Sequence, residues 1–148
     1  MKALSIRQPW AYAIMYLGKP VENRTWYTNF RGEFYIHAGL TANKDSIEDL
    51  REDIERLPKP RPTCYLGALV ATAELVDCVR AEALTYPEGD SRWTWVTGPW
   101  CFILANVKPL RDPIALKGQL RFFEVRPPAI RVTPRSRPPN PLFPGELR

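Results

Sequence analysis

The sequence predicts an α+β fold: a small mixed β-barrel of five or six strands with flanking helices. Three observations carry this. Five or six segments read as strands, two read clearly as helices, and the two kinds do not alternate as strict βαβ units. A length of 148 residues is that of one domain.

Residues 2–7 (KALSIR) alternate, with Leu4 and Ile6 on one face and Ser5 and Arg7 on the other, the pattern of a half-buried strand. Pro9 suits the first turn of a helix. Trp10, Ala13, Ile14 and Leu17 then recur at three- and four-residue steps as an apolar stripe, and Gly18 is the expected stop. Residues 20–26 read as extended, and 33–38 (EFYIHA) as a second alternating strand. Residues 45–57 predict a helix with Ile47, Leu50, Ile54 and Leu57 inward and carboxylates outward. Pro58, Pro60 and Pro62 end it and make a stiff linker.

Residues 65–79 are rich in Val, Leu and Ala and predict a long buried strand bent near Gly67, with a helix as the competing reading. Residues 99–108 form a continuous apolar strand, and 119–125 (QLRFFEV) the final core element. The domain is expected to end at residue 126. Residues 127–148 form a basic, Pro-rich extension that is extended or disordered, because proline removes ladder donors and breaks helices.

Charge narrows the function classes. The net charge is +5, which suggests a polyanionic partner. Most of the excess sits in residues 126–148, with five arginines against Glu146. Residues 1–43 hold five bases and two acids, whereas 44–57 hold six acids and three bases, so the folded part is polarised. No apolar run is long enough for a bilayer span, and the N-terminus lacks a signal-peptide h-region, so no membrane role is expected. Three cysteines without CxxC spacing and a single histidine, His37, predict no metal site and no cofactor. The expected compartment is reducing cytoplasm, with Cys64, Cys78 and Cys101 as small core residues. The oligomeric state is not readable from the sequence.

The chemistry-bearing residues crowd into the first 38 positions. Ser5 to Trp10 sit at a strand-to-helix turn, Lys19 to Trp26 follow the helix, and Arg31-Gly32 open the strand that carries His37. In extended chain Glu22, Arg24 and Trp26 share a face. Glu22 beside Arg24 reads either as a structural ion pair or as part of a polar pocket, in which cations hold phosphate and Trp26 stacks on a base. Trp26 and Tyr27 are adjacent, so only one can be buried. Trp10, on the inward stripe, is expected in the core.

ALSIRQPWA, KPVENRTW and RGEFYIHA, in this order and spacing, resemble the ASCH domain (activating signal cointegrator homology). GALVATAELVDCV and PWCFILANVKPL…IALKGQLRFFEV resemble its later strands, so the likeness spans about residues 2–126. Lys19, Glu22 and Arg24 match the last three marked positions of the family signature GxKxxExR; Leu17 stands at the glycine position, with Gly18 one place on. The resemblance implies a PUA-like barrel with a cleft used for RNA. Some members of this superfamily are nucleic-acid-binding modules and others are hydrolases, including a ribonuclease type and acetylcytidine amidohydrolases. The amidohydrolase type carries a threonine nucleophile where this chain has Glu22, which disfavours that chemistry here.

Three functions stay open. The first is a module binding RNA, another single-stranded nucleic acid or a modified base, in a cleft lined by Lys19, Glu22 and Arg24, with Arg7, Arg31, Trp26 and Tyr27 as further contacts. The second is a hydrolase on RNA or a modified nucleoside, with Lys19 and Glu22 as acid and base, and Ser5 as a candidate nucleophile served by Lys19. His37 is a further candidate base, read first as structural; no spacing supports pairing it with a cysteine. The third is a protein-interaction module using the acidic helix or the Pro-rich tail.

Overall fold

Alternation along the first strand places Leu4 and Ile6 in the main core and turns Ala3 and Ser5 to the opposite side of the sheet. A computed structural model of the chain, describing residues 1–126 and 140–143, shows how the other elements gather on these two faces. The first strand is β1 (Lys2–Gln8), followed by α1 (Trp10–Tyr16), β2 (Val21–Arg24) and β3 (Gly32–Ala42). Two short helices, α2 (Lys44–Asp49) and α3 (Arg51–Glu55), lead to β4 (Cys64–Leu66) and β5 (Ala68–Arg80). Turns of 3-10 helix at Ala81–Ala83 and Ser91–Trp95 precede β6 (Trp100–Ala115), β7 (Phe122–Glu124) and β8 (Asn140–Phe143).

Six strands form one mixed sheet in the order β2-β6-β5-β3-β1-β7; β4 and β8 pair separately and antiparallel. Within the large sheet only β1 and β3 run parallel. The fold is therefore α+β, as expected. The sheet does not close into a barrel: its order is linear, with β2 and β7 as its edges. Aromatic side chains draw those edges together instead. Trp26, two residues past β2, packs edge-on against Phe122 of β7 with centroids 6.0 Å apart. Phe102 of β6 stacks on Phe122 at 6.2 Å with the rings 6° from parallel.

Four expectations about elements change. The helix expected over 45–57 is two short helices meeting at Leu50, whose buried side chain, with Ile54, covers α1. The strand expected over 65–79 divides at Gly67 into β4 and β5, which belong to different sheets. Gly67 has φ +67°, a left-handed backbone that favours glycine. β6 runs on to Ala115 despite Pro109 and Pro113. Among the described residues its ladder partner past Leu104 is β5 alone, and a strand paired on one side tolerates missing donors. β7 keeps only three residues of the expected 119–125.

The apolar stripe expected of α1 widens, because the helix is wedged between two clusters: Ala11 and Ile14 face the main core, Tyr12 and Ala13 face Leu50, Ile54 and Cys64. Gln8 fixes its start. Its Oε1 accepts from the Tyr12 amide at 2.9 Å and its Nε2 donates to the Tyr65 carbonyl at 3.0 Å. This answers one orphan helix donor and ties β1 to β4. All three cysteines are free and buried.

The expected extension after residue 126 lies outside the described residues except for β8, which adds a strand to β4. Across β1 and β7 the two ends of the core meet. The Val125 amide donates to the Met1 carbonyl at 3.0 Å, and the Met1 amine donates back to the Val125 carbonyl at 3.2 Å.

Candidate functional site

β2 is four residues long and sits at the sheet edge, so its side chains reach both the core and the rim. Val21 is fully buried; Glu22 follows with 6% exposure, and Lys19, just before the strand, with 4%. Lys19 and Glu22 line one recess of about 240 Å³ together with Trp10, Asn23, Thr94, Trp95 and Thr97. The two charges thus share a wall, beneath two tryptophans.

Lys19 Nζ donates to the Val21 carbonyl at 2.5 Å and lies 5.7 Å from the centre of the Trp10 ring. Burial pushes its pKa down from the usual lysine value, and the Glu22 carboxylate partly restores it. Arg24 Nη2 donates to Glu22 Oε2 at 3.3 Å and to the Ser5 carbonyl at 2.6 Å. Glu22 Oε1 accepts no hydrogen bond among the described residues. Arg24 therefore ties β2 to β1 behind the recess, whereas Lys19 and Glu22 face into it.

Thr94, Trp95 and Thr97 of residues 91–98, a segment without hydrophobic period, complete the lining. Asp90 caps the segment's start, accepting from the Arg92 amide at 2.9 Å, and Asn23 anchors its end. Asn23 Nδ2 donates to the Trp95 carbonyl at 2.9 Å, and Oδ1 accepts from the amides of Thr97 at 3.0 Å and Gly98 at 2.9 Å. Asn23, Thr94, Trp95 and Thr97 are the recess residues that the sequence did not single out. The available signal was the Trp93-Thr94-Trp95 run ahead of Gly98-Pro99, two aromatics at a turn with no periodicity to bury them.

The remaining candidates lie elsewhere. Trp26 and Tyr27 part as adjacency requires: Trp26 packs on Phe102 and Phe122, and Tyr27 is 51% exposed against Trp100. They border a second, open depression of about 440 Å³ with Lys2, Thr28, Asn29, Phe30, Arg121 and Phe122. Arg121 covers the Trp26 ring at 4.8 Å, and Arg80 covers Trp100 at 5.2 Å. Arg31 is exposed; it donates to the Thr28 and Phe30 carbonyls and pairs with Asp77 at 3.2 Å. Arg7 is exposed and, among the described residues, reaches the Ala42 carbonyl at 3.4 Å.

Ser5 does not meet Lys19. Its Oγ lies 2.7 Å from His37 Nδ1, and His37 Nε2 lies 2.6 Å from the Leu116 carbonyl. Because that carbonyl can only accept, Nε2 carries the proton in the neutral ring and the serine hydroxyl donates to Nδ1. Burial holds the His37 pKa below its ordinary value, so the neutral form is favoured. Gly118 closes over the pair: a Cβ there would stand 2.4 Å from Ser5 Oγ and 2.7 Å from His37 Cε1. Ser5 and His37 lie outside the Lys19 recess.

Among the described residues no group of His, Cys, Asp or Glu is placed to hold a metal, and no helix is long and apolar enough to cross a membrane.

No family model matches the chain. It is 30% identical over 139 residues to human "Activating signal cointegrator 1", an alignment covering 82% of this chain and 22% of that protein. It is 33% identical over 85 residues to the mouse protein of the same name, covering 51% of this chain and 14% of that one. The chain thus spans about a fifth of the human relative's length. With the motifs at residues 3–11, 19–26 and 31–38, these likenesses identify the chain as a member of the ASCH domain family.

Proposed function

We propose that the domain binds nucleic acid, taking one base of single-stranded RNA or DNA, or a modified base, into the recess between Lys19, Glu22 and the tryptophans. The observation that carries this reading is that a buried lysine and a buried glutamate line one recess with two tryptophans. Isolated charges are costly to bury, and here each keeps hydrogen-bonding capacity directed at the space between the walls. Bases extracted from a stack are read in this way, by edge hydrogen bonds and contact with aromatic faces. The recess is smaller than the roughly 300–1,000 Å³ of sites for drug-sized ligands, which suits a single planar base. The neighbouring aromatics and cations supply the strand path: Arg121 on Trp26, then Tyr27, Trp100 and Arg80. Arg31 is held by an exposed pair with Asp77, of the kind worth about 0–1 kcal/mol and readily exchanged for phosphate. The family membership supports the same reading, as does the curled sheet with its aromatic seam, which we read as a PUA-like barrel left open at one side.

The test is titration of tryptophan fluorescence with single-stranded RNA and DNA in the parent protein, Lys19→Met and Glu22→Gln. Binding that both variants weaken supports the recess; no binding by the parent defeats the proposal.

A hydrolase reading has one observation in its favour. A lysine whose pKa is held down by burial gives up its proton more readily, and its free amine can then act as a base. Incubation with mixed RNA and modified nucleosides, followed by mass spectrometry, separates the two. Turnover that disappears in Lys19→Met would establish the enzyme.

A further inference from the structure

We infer that residues 116–121, the segment between β6 and β7, form an acid-released strap. His37 latches it to the sheet while the ring is neutral, and the strap lifts as the ring takes up a proton. This device stands apart from the nucleic-acid reading, because it is made of the fold's own contacts.

The latch is one buried ring with three neighbours. His37 is 1% exposed. Its Nε2 donates to the Leu116 carbonyl at 2.6 Å, its Nδ1 accepts from Ser5 Oγ at 2.7 Å, and Gly118 lies against both side chains. Little else holds the strap. Residues 116–121 belong to no strand. Among the described residues, the backbone bond that reaches it outside the ladders runs from the Leu116 amide to the Gly67 carbonyl at 3.1 Å. Leu120 is 92% exposed, and Arg121 sits at φ +56°, where side chains are uncommon.

A protonated ring is costly in this place. With a proton on each nitrogen, it forces the Ser5 hydroxyl to turn its own proton away. No carboxylate compensates the charge. β1 brings Lys2 and Arg7, and β5 brings Glu74, Asp77 and Arg80. The end of β6 brings Arg111 and Asp112, β7 brings Glu124, and the strap brings Lys117 and Arg121. His37's own strand adds Glu33 and Tyr35. Glu124 is turned to Lys2 and Asp77 to Arg31. The ring's proton affinity is set instead by burial, which lowers it, and by the Leu116 carbonyl, which raises it.

With the strap lifted, water reaches the ring and its pKa returns to the ordinary 6.5. Above that pH both forms are neutral and the strap stays shut. As pH falls through 6.5 the open form binds a proton that the closed form resists, so the balance moves toward opening. Lifting the strap is the least costly opening, because it breaks no ladder. Arg121 rides on the strap and covers the Trp26 ring at 4.8 Å, so the same motion bares that indole.

The experiment is amide exchange of the full chain by NMR at pH 7, 6 and 5, each with and without low urea. The Leu116 amide should be less protected than the amides of β3 and β5, and its protection should not respond to urea, as a local opening requires. From pH 7 to pH 5 that protection should fall at least about fivefold, with a ceiling of roughly 25-fold for one proton titrating at 6.5 in the open form. His37→Gln, which keeps a donor and an acceptor but no titrating ring, should abolish the fall. Should that variant not fold, the parent's own series decides. Leu116 protection that follows the urea dependence of the sheet, or that is the same at all three pH values, overturns the strap. A fall that survives in folded His37→Gln overturns the assignment of His37 as its latch.

Discussion

Gly118 shows how much a single residue can decide. A Cβ at this position would overlap Ser5 Oγ and both His37 ring atoms nearest to it, and the histidine is held from its other side by Leu116. Gly118→Ala should cost about 1–3 kcal/mol, the usual range for overpacking, read as a lower urea midpoint at unchanged slope. Ser5→Ala in the same chain should recover part of the loss, since the shortest clash is with the hydroxyl. His37 itself makes stability depend on pH. Its folded pKa lies below its unfolded value of 6.5, so the unfolded chain takes up the proton first. Stability from the neutral ring is present above pH 6.5 and is lost as pH falls toward the folded pKa. Urea midpoints should drop from pH 7 to pH 5, and His37→Gln should flatten that part of the profile. Lys19 is the opposite case of function against stability. Burial disfavours its charge, so Lys19→Met is expected to melt no lower than the parent while losing nucleic acid affinity. A lower melt would show that the ammonium holds the fold together.

Among the elements, the segment 91–98 depends most on one contact. Asn23 uses its amide as donor and acceptor at once, a combination aspartate cannot reproduce, because its second oxygen would face the Trp95 carbonyl. Asn23→Asp should loosen this wall, seen as faster amide exchange at Thr97 and Gly98, and should weaken base binding more than it lowers the melting temperature. The same segment marks where the sequence stops being readable. β1 and α1 form where alternation and a helical stripe place them, β2 forms within the segment read as extended, and β3 extends past the expected 33–38 to Ala42. Gly67 announced the bend that separates β4 from β5. Residues 95–98 have no period, and their backbone is held by a side chain from β2, about seventy residues earlier. The far half of β6 was hidden by Pro109 and Pro113, which argue against a strand unless it pairs on one side alone, as it does among the described residues. Lys19 and Glu22 were legible as a pair through their spacing. Their tryptophan walls were only half so, since Trp10 read as core and Trp95 lay in the uninterpreted stretch. Ser5 and His37 are 32 residues apart, and only the parallel pairing of β1 with β3 brings them together.

For the molecule as a whole, charge and topology make separate demands. With three or four phosphate contacts, affinity for a single strand should fall with salt at a log–log slope of about −2 to −3. Removing residues 127–148 takes away a net charge of +3 and should flatten that slope. The same truncation also removes β8 and leaves the edge of β4 unpaired, so its thermal melt should fall even where binding to short strands persists. The meeting of Met1 with Val125 has a different outcome. A fold whose first and last core strands are hydrogen-bonded to each other needs only two fixed points, a few ångströms apart, to be mounted on another protein. Such a unit can be set into a surface loop of a host without prising the host open. By the same geometry the order of its segments along the chain can be rotated. A circular permutant that links residue 126 to residue 1 through a short glycine-serine bridge, with new ends between Tyr86 and Asp90, should fold to the same sheet.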